Sequence, residues 1–284
     1  MNFSAVGEMD LDLDIGPTKK GQRHGTWLAA ALQEKLHVMK AVMLRDLRTR
    51  FFDHGIGFLI VSWWPLAHIF ILLFIYQVSN RATPFGDSLR VFFATGLIPT
   101  LLFTYVSRFM SLSVILNKPM LAFPVVQVVD ILMARAALEI VAAALTLAQA
   151  LLILWLMGDN PFPYDLEQAV LAYLTILLAA IGVGIWAGVI TMIMPFFATL
   201  YALFCIIIYL ASGSLFVVSA LPDAFAIPLA YSPVVQAVEW MRSAYYPSYS
   251  DRLVDKTYLL HFALVSVFSG LFMERVFRRI LIEG

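Results

Sequence analysis

The sequence predicts an all-α integral membrane protein, and three observations carry that prediction. Hydrophobic residues make up 61% of the 284-residue chain, against roughly 45–50% in ordinary globular proteins. Charged residues fall to 13%, about half the usual ~25%, and mean hydropathy is +0.85. The longest stretches free of Asp, Glu, Lys and Arg are 54–80, 91–107, 140–158, 168–222, 224–238 and 257–273, and most have the length of a helical span. A soluble protein of this size could not hide so much apolar side chain. Disorder is excluded too, because it needs low hydrophobicity and high charge. Lys plus Arg and Asp plus Glu are 19 each, so there is no basic excess to suggest a nucleic-acid partner.

The elements follow in chain order. Residues 1–26 are polar, with Glu8, Asp10, Asp12 and Asp14 ahead of Lys19, Lys20 and Arg23. They read as a disordered cytoplasmic tail, since a signal peptide would set an apolar run straight after a short basic region. Over 27–50, Leu28, Leu32, Leu36, Met39, Met43 and Leu47 recur every three or four residues, which is one face of a helix. A basic amphipathic helix ahead of a span is expected to lie in the cytoplasmic interface.

Six spans follow, at roughly 56–79, 89–113, 124–157, 167–194, 197–220 and 257–276. The run 168–222 is divided at Met194-Pro195, because proline lacks the helix N–H and clashes with the preceding turn. The third span is long, about 51 Å as a helix at ~1.5 Å per residue. Its first third carries Asp130, Arg135 and Glu139, so that end is expected to protrude into water. Arg135 and Glu139 are four apart and can pair on one face. The stretch 224–238 carries Pro228 and Pro233 and is too short for a span. It reads as short re-entrant helices between spans 5 and 6, which survive at membrane depth only under cover of protein or a water cavity. Fourteen of the nineteen Lys and Arg fall in the tail, the amphipathic helix, the Arg108–Arg135 region and the C-terminus. By the positive-inside rule this sets both termini in the cytoplasm.

The chain lacks the chemistry of an enzyme in several respects. It contains no G-x-x-x-x-G-K-[ST] phosphate loop, no H-E-x-x-H and no Cys/His zinc spacing. The single cysteine, Cys205, lies in an apolar stretch and reads as a small buried side chain. Ser212-Gly213-Ser214 in the fifth span and His261 in the sixth could meet as an intramembrane serine hydrolase, although small residues are also ordinary helix-packing positions in membranes. Aromatics are 14% of the chain. Their plain reading is lipid-facing surface and interfacial belts. The sharper reading is a sugar path, since aromatic faces can stack weakly on a sliding saccharide. The candidates for that path are Trp63, Trp64, Tyr76, Tyr105, Tyr201, Tyr209, Phe216, Tyr245 and Tyr246. The ionisable residues Arg108, Glu239 and Arg242 join them, because charge at membrane depth usually faces a cavity or a pairing group.

Three segments together resemble the membrane subunit of ABC-2-type transporters, and within it the capsular polysaccharide export permeases. The first is Arg45-Asp46-Leu47-Arg48-Thr49-Arg50-Phe51, followed by Gly57. The second runs from Gly96-Leu97-Ile98-Pro99 through Asn117-Lys118 to Asp130 and Arg135. The third comprises Ser212-Gly213, Leu221-Pro222, Ser232-Pro233, Glu239-Trp240-Met241-Arg242 and Tyr245. The likeness covers roughly residues 28–275. It departs from the family pattern at Phe52, where glycine is common, at Trp64-Pro65, where Glu-Pro is frequent, and at Ser232, which replaces asparagine.

The resemblance implies that 27–284 is an ABC-2-type transmembrane domain working as a homodimer with two copies of a separate ATPase subunit. ATP and magnesium would then belong to that subunit, and this chain would hold no cofactor. The resemblance places ATPase coupling at Asn117, Lys118 and Pro119 in the loop after the second span, with Arg45, Asp46 and Arg50 of the amphipathic helix. It further implies a Gram-negative inner membrane, a lipid-linked polysaccharide substrate, a periplasmic co-polymerase or adaptor, and an outer-membrane export protein. O-antigen export, and efflux of a drug or small lipid, are the competing substrates.

Overall fold

A computed structural model describes residues 22–50, 56–79 and 82–283. Every regular element among them is helical: α1 (Gln22–Arg50), α2 (Ile56–Val78), α3 (Leu89–Leu116), α4 (Val128–Leu156), α5 (Leu166–Ile193), α6 (Phe197–Ala211), α7 (Asp223–Ala230), α8 (Pro233–Tyr245) and α9 (Lys256–Glu283). Single 3-10 turns lie at Lys118–Ala122 and Val218–Ala220. The chain divides into two compact units, one ending at His37 and the other running from Val38 to the C-terminus. Of the first, the described part is the opening of α1, with Leu32 and Leu36 exposed. The expected tail, 1–26, lies outside the described residues up to position 21.

The second unit is built around α3. This helix is buried along most of its length, packed against α5 and α4, and α5 packs in turn against α9. Close approach explains the small residues on α5. A Cβ at Gly184 would sit 2.6 Å from the Met110 Cβ, and one at Gly188 would lie 3.1 Å from the Met110 carbonyl. Small residues at helix contacts are how packing replaces the hydrophobic effect inside a bilayer. The hydroxyls on α3 find partners within the helix itself. Thr100 Oγ donates to the Gly96 carbonyl at 2.9 Å, Thr104 to Thr100 at 3.0 Å and Ser107 to Phe103 at 2.6 Å. A polar stripe thus stays satisfied in an apolar core. Some starts carry a side-chain cap: Ser88 Oγ accepts from Val91 N, and Asp165 Oδ1 from Gln168 N at 3.1 Å.

Four helices, α3, α4, α5 and α9, are long and apolar enough to cross a membrane. They correspond to the second, third, fourth and sixth expected spans. The described apolar part of α2 is Trp63–Val78. The fifth expected span, 197–220, is cut short: α6 ends at Ala211. Gly213 takes φ of +74° there, a left-handed turn that glycine enters without a Cβ penalty, and Ser212 Oγ turns back onto the Tyr209 carbonyl at 2.7 Å. The short helices α7 and α8 occupy the stretch read as re-entrant.

The start of α4 also departs from expectation. Asp130, Arg135 and Glu139 do not protrude into water but are each about 95% buried. Val42 of α1, with Val126, Ile131 and Ala134, forms a small apolar cluster over this end, joined by Met39 and Met43. Arg135 and Glu139 pair with one another, and Asp130 Oδ2 accepts from the Gln127 backbone N–H at 2.9 Å.

Candidate functional site

Three groups of side chains gather the residues that sequence singled out. The first lies at the C-terminal end of α3. Asn117 Oδ1 accepts from Arg45 Nη1 at 2.8 Å, and Asn117 Nδ2 donates to Asp46 Oδ1 at 3.0 Å and to the Ser113 carbonyl at 2.9 Å. Asp46 Oδ2 accepts from Arg135 Nη1 at 3.4 Å, and Arg135 pairs with Glu139 one turn along α4. The Arg135 guanidinium also lies over the Phe109 ring of α3, 5.1 Å from its centroid. Helix α1, the end of α3 and the start of α4 are thereby tied by one buried polar network. Lys118 and Pro119 stand exposed beside it, as do the apolar side chains of Leu116, Phe123 and Val125. The side chain of Arg50 lies outside the described residues.

The second group lies at the opposite end of α3. Arg242 of α8 is wholly buried. Its Nη1 donates to the Phe216 carbonyl at 2.8 Å and its Nη2 to the Ser214 carbonyl at 2.9 Å. The guanidinium sits 4.1 Å over the Phe92 ring, with Glu239 Oε1 4.0 Å away. Tyr249 donates to the same carboxylate oxygen at 2.7 Å. Burial pushes the Tyr249 phenol above its ordinary pKa, which keeps it the donor. Gly96 closes the group from α3: a Cβ there would lie 2.8 Å from Arg242 Nη2 and 2.8 Å from the Ser214 carbonyl oxygen. The knot is therefore the Gly96 segment, the turn after α6 and the Glu239–Arg242 segment folded onto one another. Tyr245 donates to the Pro161 carbonyl at 3.0 Å, and Tyr246 packs edge-on against Phe85 at 5.4 Å.

The third group lies between those ends. An open cleft of about 310 Å³ runs between α2, α3 and α6, with His68, Thr104, Tyr105, Arg108, Cys205 and Tyr209 among its walls. His68 Nε2 and the Tyr209 hydroxyl are 3.1 Å apart, and Tyr105 stacks on Phe109 at 6.0 Å. Arg108 is exposed. Tyr201, one turn from Cys205, is buried against Phe197. Trp64 lines an adjoining hollow that shares His68. Trp63 and Trp64 are 58% and 69% exposed, and Tyr76 meets Phe93 edge-on at 4.6 Å.

The structure thus brings Tyr105, Arg108 and Tyr209 to one cleft, with Trp64 beside it. Glu239, Arg242 and the backbone of Phe216 lie in the buried knot. Sequence reasoning missed His68, which carried no motif, and Phe92 and Tyr249, whose roles depend on packing between distant segments. The hydrolase reading gains nothing. Ser212 and Ser214 bond to each other at 2.8 Å and serve the knot, while His261 is exposed on α9. Among the described residues no cluster could hold a metal ion.

Comparison with known proteins bears on the whole chain. No family model matches it. It is 30% identical over 238 residues to the polysialic acid transport protein KpsM of Escherichia coli, an alignment covering 84% of this chain and 92% of that protein. The chain belongs to the family of capsule polysaccharide export inner-membrane proteins. The capsule polysaccharide export inner-membrane protein CtrC of Neisseria meningitidis serogroup B is 26% identical over 253 residues, 89% of this chain and 95% of that one. BexB of Haemophilus influenzae, described in the same words, is 23% identical over 210 residues, 74% and 79% of the two chains. The resemblance to ABC-2-type permeases read from three segments is therefore a family relation that spans most of the protein. The family members are transport proteins rather than enzymes.

Proposed function

We propose that this chain is the permease subunit of an ATP-driven ABC exporter that moves lipid-linked capsular polysaccharide outward across the bacterial inner membrane. The observation that carries the reading is the alignment, over 84% of the chain, with a polysialic acid transport protein. The cleft supports it chemically. Arg108 offers a cation to acidic sugars or to a phosphate-bearing lipid end. Tyr105, Tyr209 and Trp64 offer aromatic faces for weak, repeated stacking of the kind a moving polymer needs.

In this reading two copies associate, giving twelve spans around one path, with both termini cytoplasmic. The exposed apolar faces of α2 and α6, with Ile71, Phe74, Leu203 and Ile207, are where the second copy and lipid divide the surface. The ATPase subunit docks at Lys118–Pro119, where exposed Leu116, Phe123 and Val125 suit protein cover. The buried network behind that turn gives it a firm seat. A periplasmic adaptor and an outer-membrane export protein complete the route.

The test is the location of polymer after deletion of the gene in the bacterium that carries it. Surface capsule and intracellular polymer are stained separately, and lipopolysaccharide is resolved on a gel. Capsule lost from the surface and accumulated inside, with normal lipopolysaccharide, is the expected result. Normal capsule with missing O-antigen would change the substrate, and no change in either would reject polysaccharide export.

A further inference from the structure

Arg135 sits where three parts of the chain meet. From α4 its guanidinium reaches Asp46 of α1, pairs with Glu139 on its own helix and covers Phe109 of α3. Upstream, Asp46 accepts from Asn117, the residue just before the exposed turn at Lys118–Pro119. Downstream, Glu139 lines a small, partly open hollow of about 50 Å³ together with Pro65, Tyr105, Phe109 and Tyr173. Tyr105 is also a wall of the open cleft. A run of contacts thus leads from the surface turn, through Asn117, Asp46 and Arg135, to Phe109, whose ring stacks on Tyr105 of the cleft wall.

Charges this deeply buried are a poor way to obtain stability alone. Desolvation offsets most of their attraction, and apolar residues of similar volume often do as well or better. Their better-attested use is to fix one packing arrangement among several, and packed interfaces tend to be bistable rather than continuously deformable. The pair could instead have stayed local to α4. Its reach to Asp46 and Phe109 is what joins three elements.

We propose that Arg135 is a positioning residue that couples the docking turn and α1 to α4, so that movement at Lys118–Pro119 reshapes the cleft at Tyr105. This rests on the transport reading above. Loss of the link leaves ATP hydrolysis running while the cleft no longer follows it.

The experiment uses the full chain reconstituted with its ATPase subunit in proteoliposomes. In one variant Arg135→Glu and Glu139→Arg are exchanged. The pair within α4 survives, but a carboxylate now faces Asp46. In a second, Asp46→Asn is added, which keeps an amide oxygen to accept from Asn117 and offers an amide donor to the new carboxylate. Two readouts are taken. One is polymer exported per ATP hydrolysed. The other is the rate at which a thiol reagent labels Cys205, the one cysteine of this chain, with and without ATP. Cys205 is buried at the edge of the cleft, so its labelling rises only as the cleft opens and reports that opening without requiring polymer.

The expected result is ATP-dependent labelling in the natural chain. In the exchanged variant that dependence is lost, and export per ATP falls roughly tenfold, the range in which coupling-path mutations act, at unchanged chain and ATPase-subunit levels. The triple variant recovers both. Unaltered coupling in the exchanged variant overturns the proposal. So does equal impairment of the exchanged and triple variants, which would mark a local packing role, and so does ATP-independent labelling in the natural chain. If the exchanged variant does not accumulate, Asp46→Asn alone carries the same expectation and the same overturning result. A natural chain that exports no polysaccharide rejects the transport reading, while the Cys205 readout still decides the coupling.

Discussion

Replacing Arg242 with methionine isolates the knot at one end of α3. Arg242→Met keeps an unbranched apolar stem and removes the charge and the forked donors. Two charge-assisted hydrogen bonds are lost, at 2.8 and 2.9 Å, worth about 1.5–3 kcal/mol each. The contact with Phe92 at 4.1 Å adds about 2 kcal/mol in a desolvated site. Against these stands relief from burying a guanidinium, several kcal/mol. The balance falls near the ~3–5 kcal/mol typical when one member of a buried charge pair is removed. For a chain of this size each kcal/mol moves the melting temperature by about 2–4 °C, so a drop on the order of 10 °C is expected. The assay is thermal unfolding of the detergent-purified chain. Arg242→Met combined with Glu239→Gln should lose less than the two single changes added together, because Glu239 no longer remains as an uncompensated charge. A melting temperature within about 2 °C of the natural chain, the shift that ~1 kcal/mol gives, would refute the assignment. The knot would then be incidental, and loss of export in an Arg242 variant would have to arise in the path itself.

Three further outcomes are expected. Gly96→Ala places a methyl against the Arg242 guanidinium and the Ser214 backbone, each at 2.8 Å, and should cost about 1–3 kcal/mol by overpacking, read in the same thermal assay. Tyr249→Phe removes the 2.7 Å bond to buried Glu239 and should cost about 1–3 kcal/mol, less than Arg242→Met. Asn117→Asp replaces the donor facing Asp46 at 3.0 Å with a like charge, so co-purification of the ATPase subunit should fall several-fold. Retention equal to that of the natural chain would show that the docking turn does not depend on the network behind it.

How much of this was legible in the sequence varies by element. The long apolar runs marked α3, α4, α5 and α9, because the length of an uncharged stretch is a local property. The end of α6 was set two residues past the helix by Gly213, yet the apolar run continues to Leu221, so hydropathy alone carried the expected span too far. At the start of α4, counting charges pointed to water. The burial of Asp130, Arg135 and Glu139 depends on α1 lying over them, with Asp46 distant in sequence. The i, i+4 spacing of Arg135 and Glu139 did announce their pair. For the candidate sites, Asn117, Arg45 and Asp46 were named separately and the fold joins them. The aromatic candidates could not be sorted by residue type. Only packing separates Tyr105 and Tyr209 in the cleft from Tyr245 and Tyr246 against the knot, and nothing in the local sequence of His68 distinguishes it from the other four histidines.

The brevity of α6 has a consequence for the surrounding lipid. Fifteen residues make a helix about 22 Å long, against a hydrocarbon core of about 30 Å. Lipid cannot leave that difference as vacuum; it thins, or a second protein surface takes its place, at a fraction of a kcal/mol per Å of mismatch. Acyl-chain length thereby becomes a variable that acts on one side of the cleft and not on the side walled by the full-length α3. Bilayers of shorter acyl chains should match α6, and thicker ones should thin around it and pull it toward greater length, so the dependence of transport on lipid length would report the mechanics of this helix.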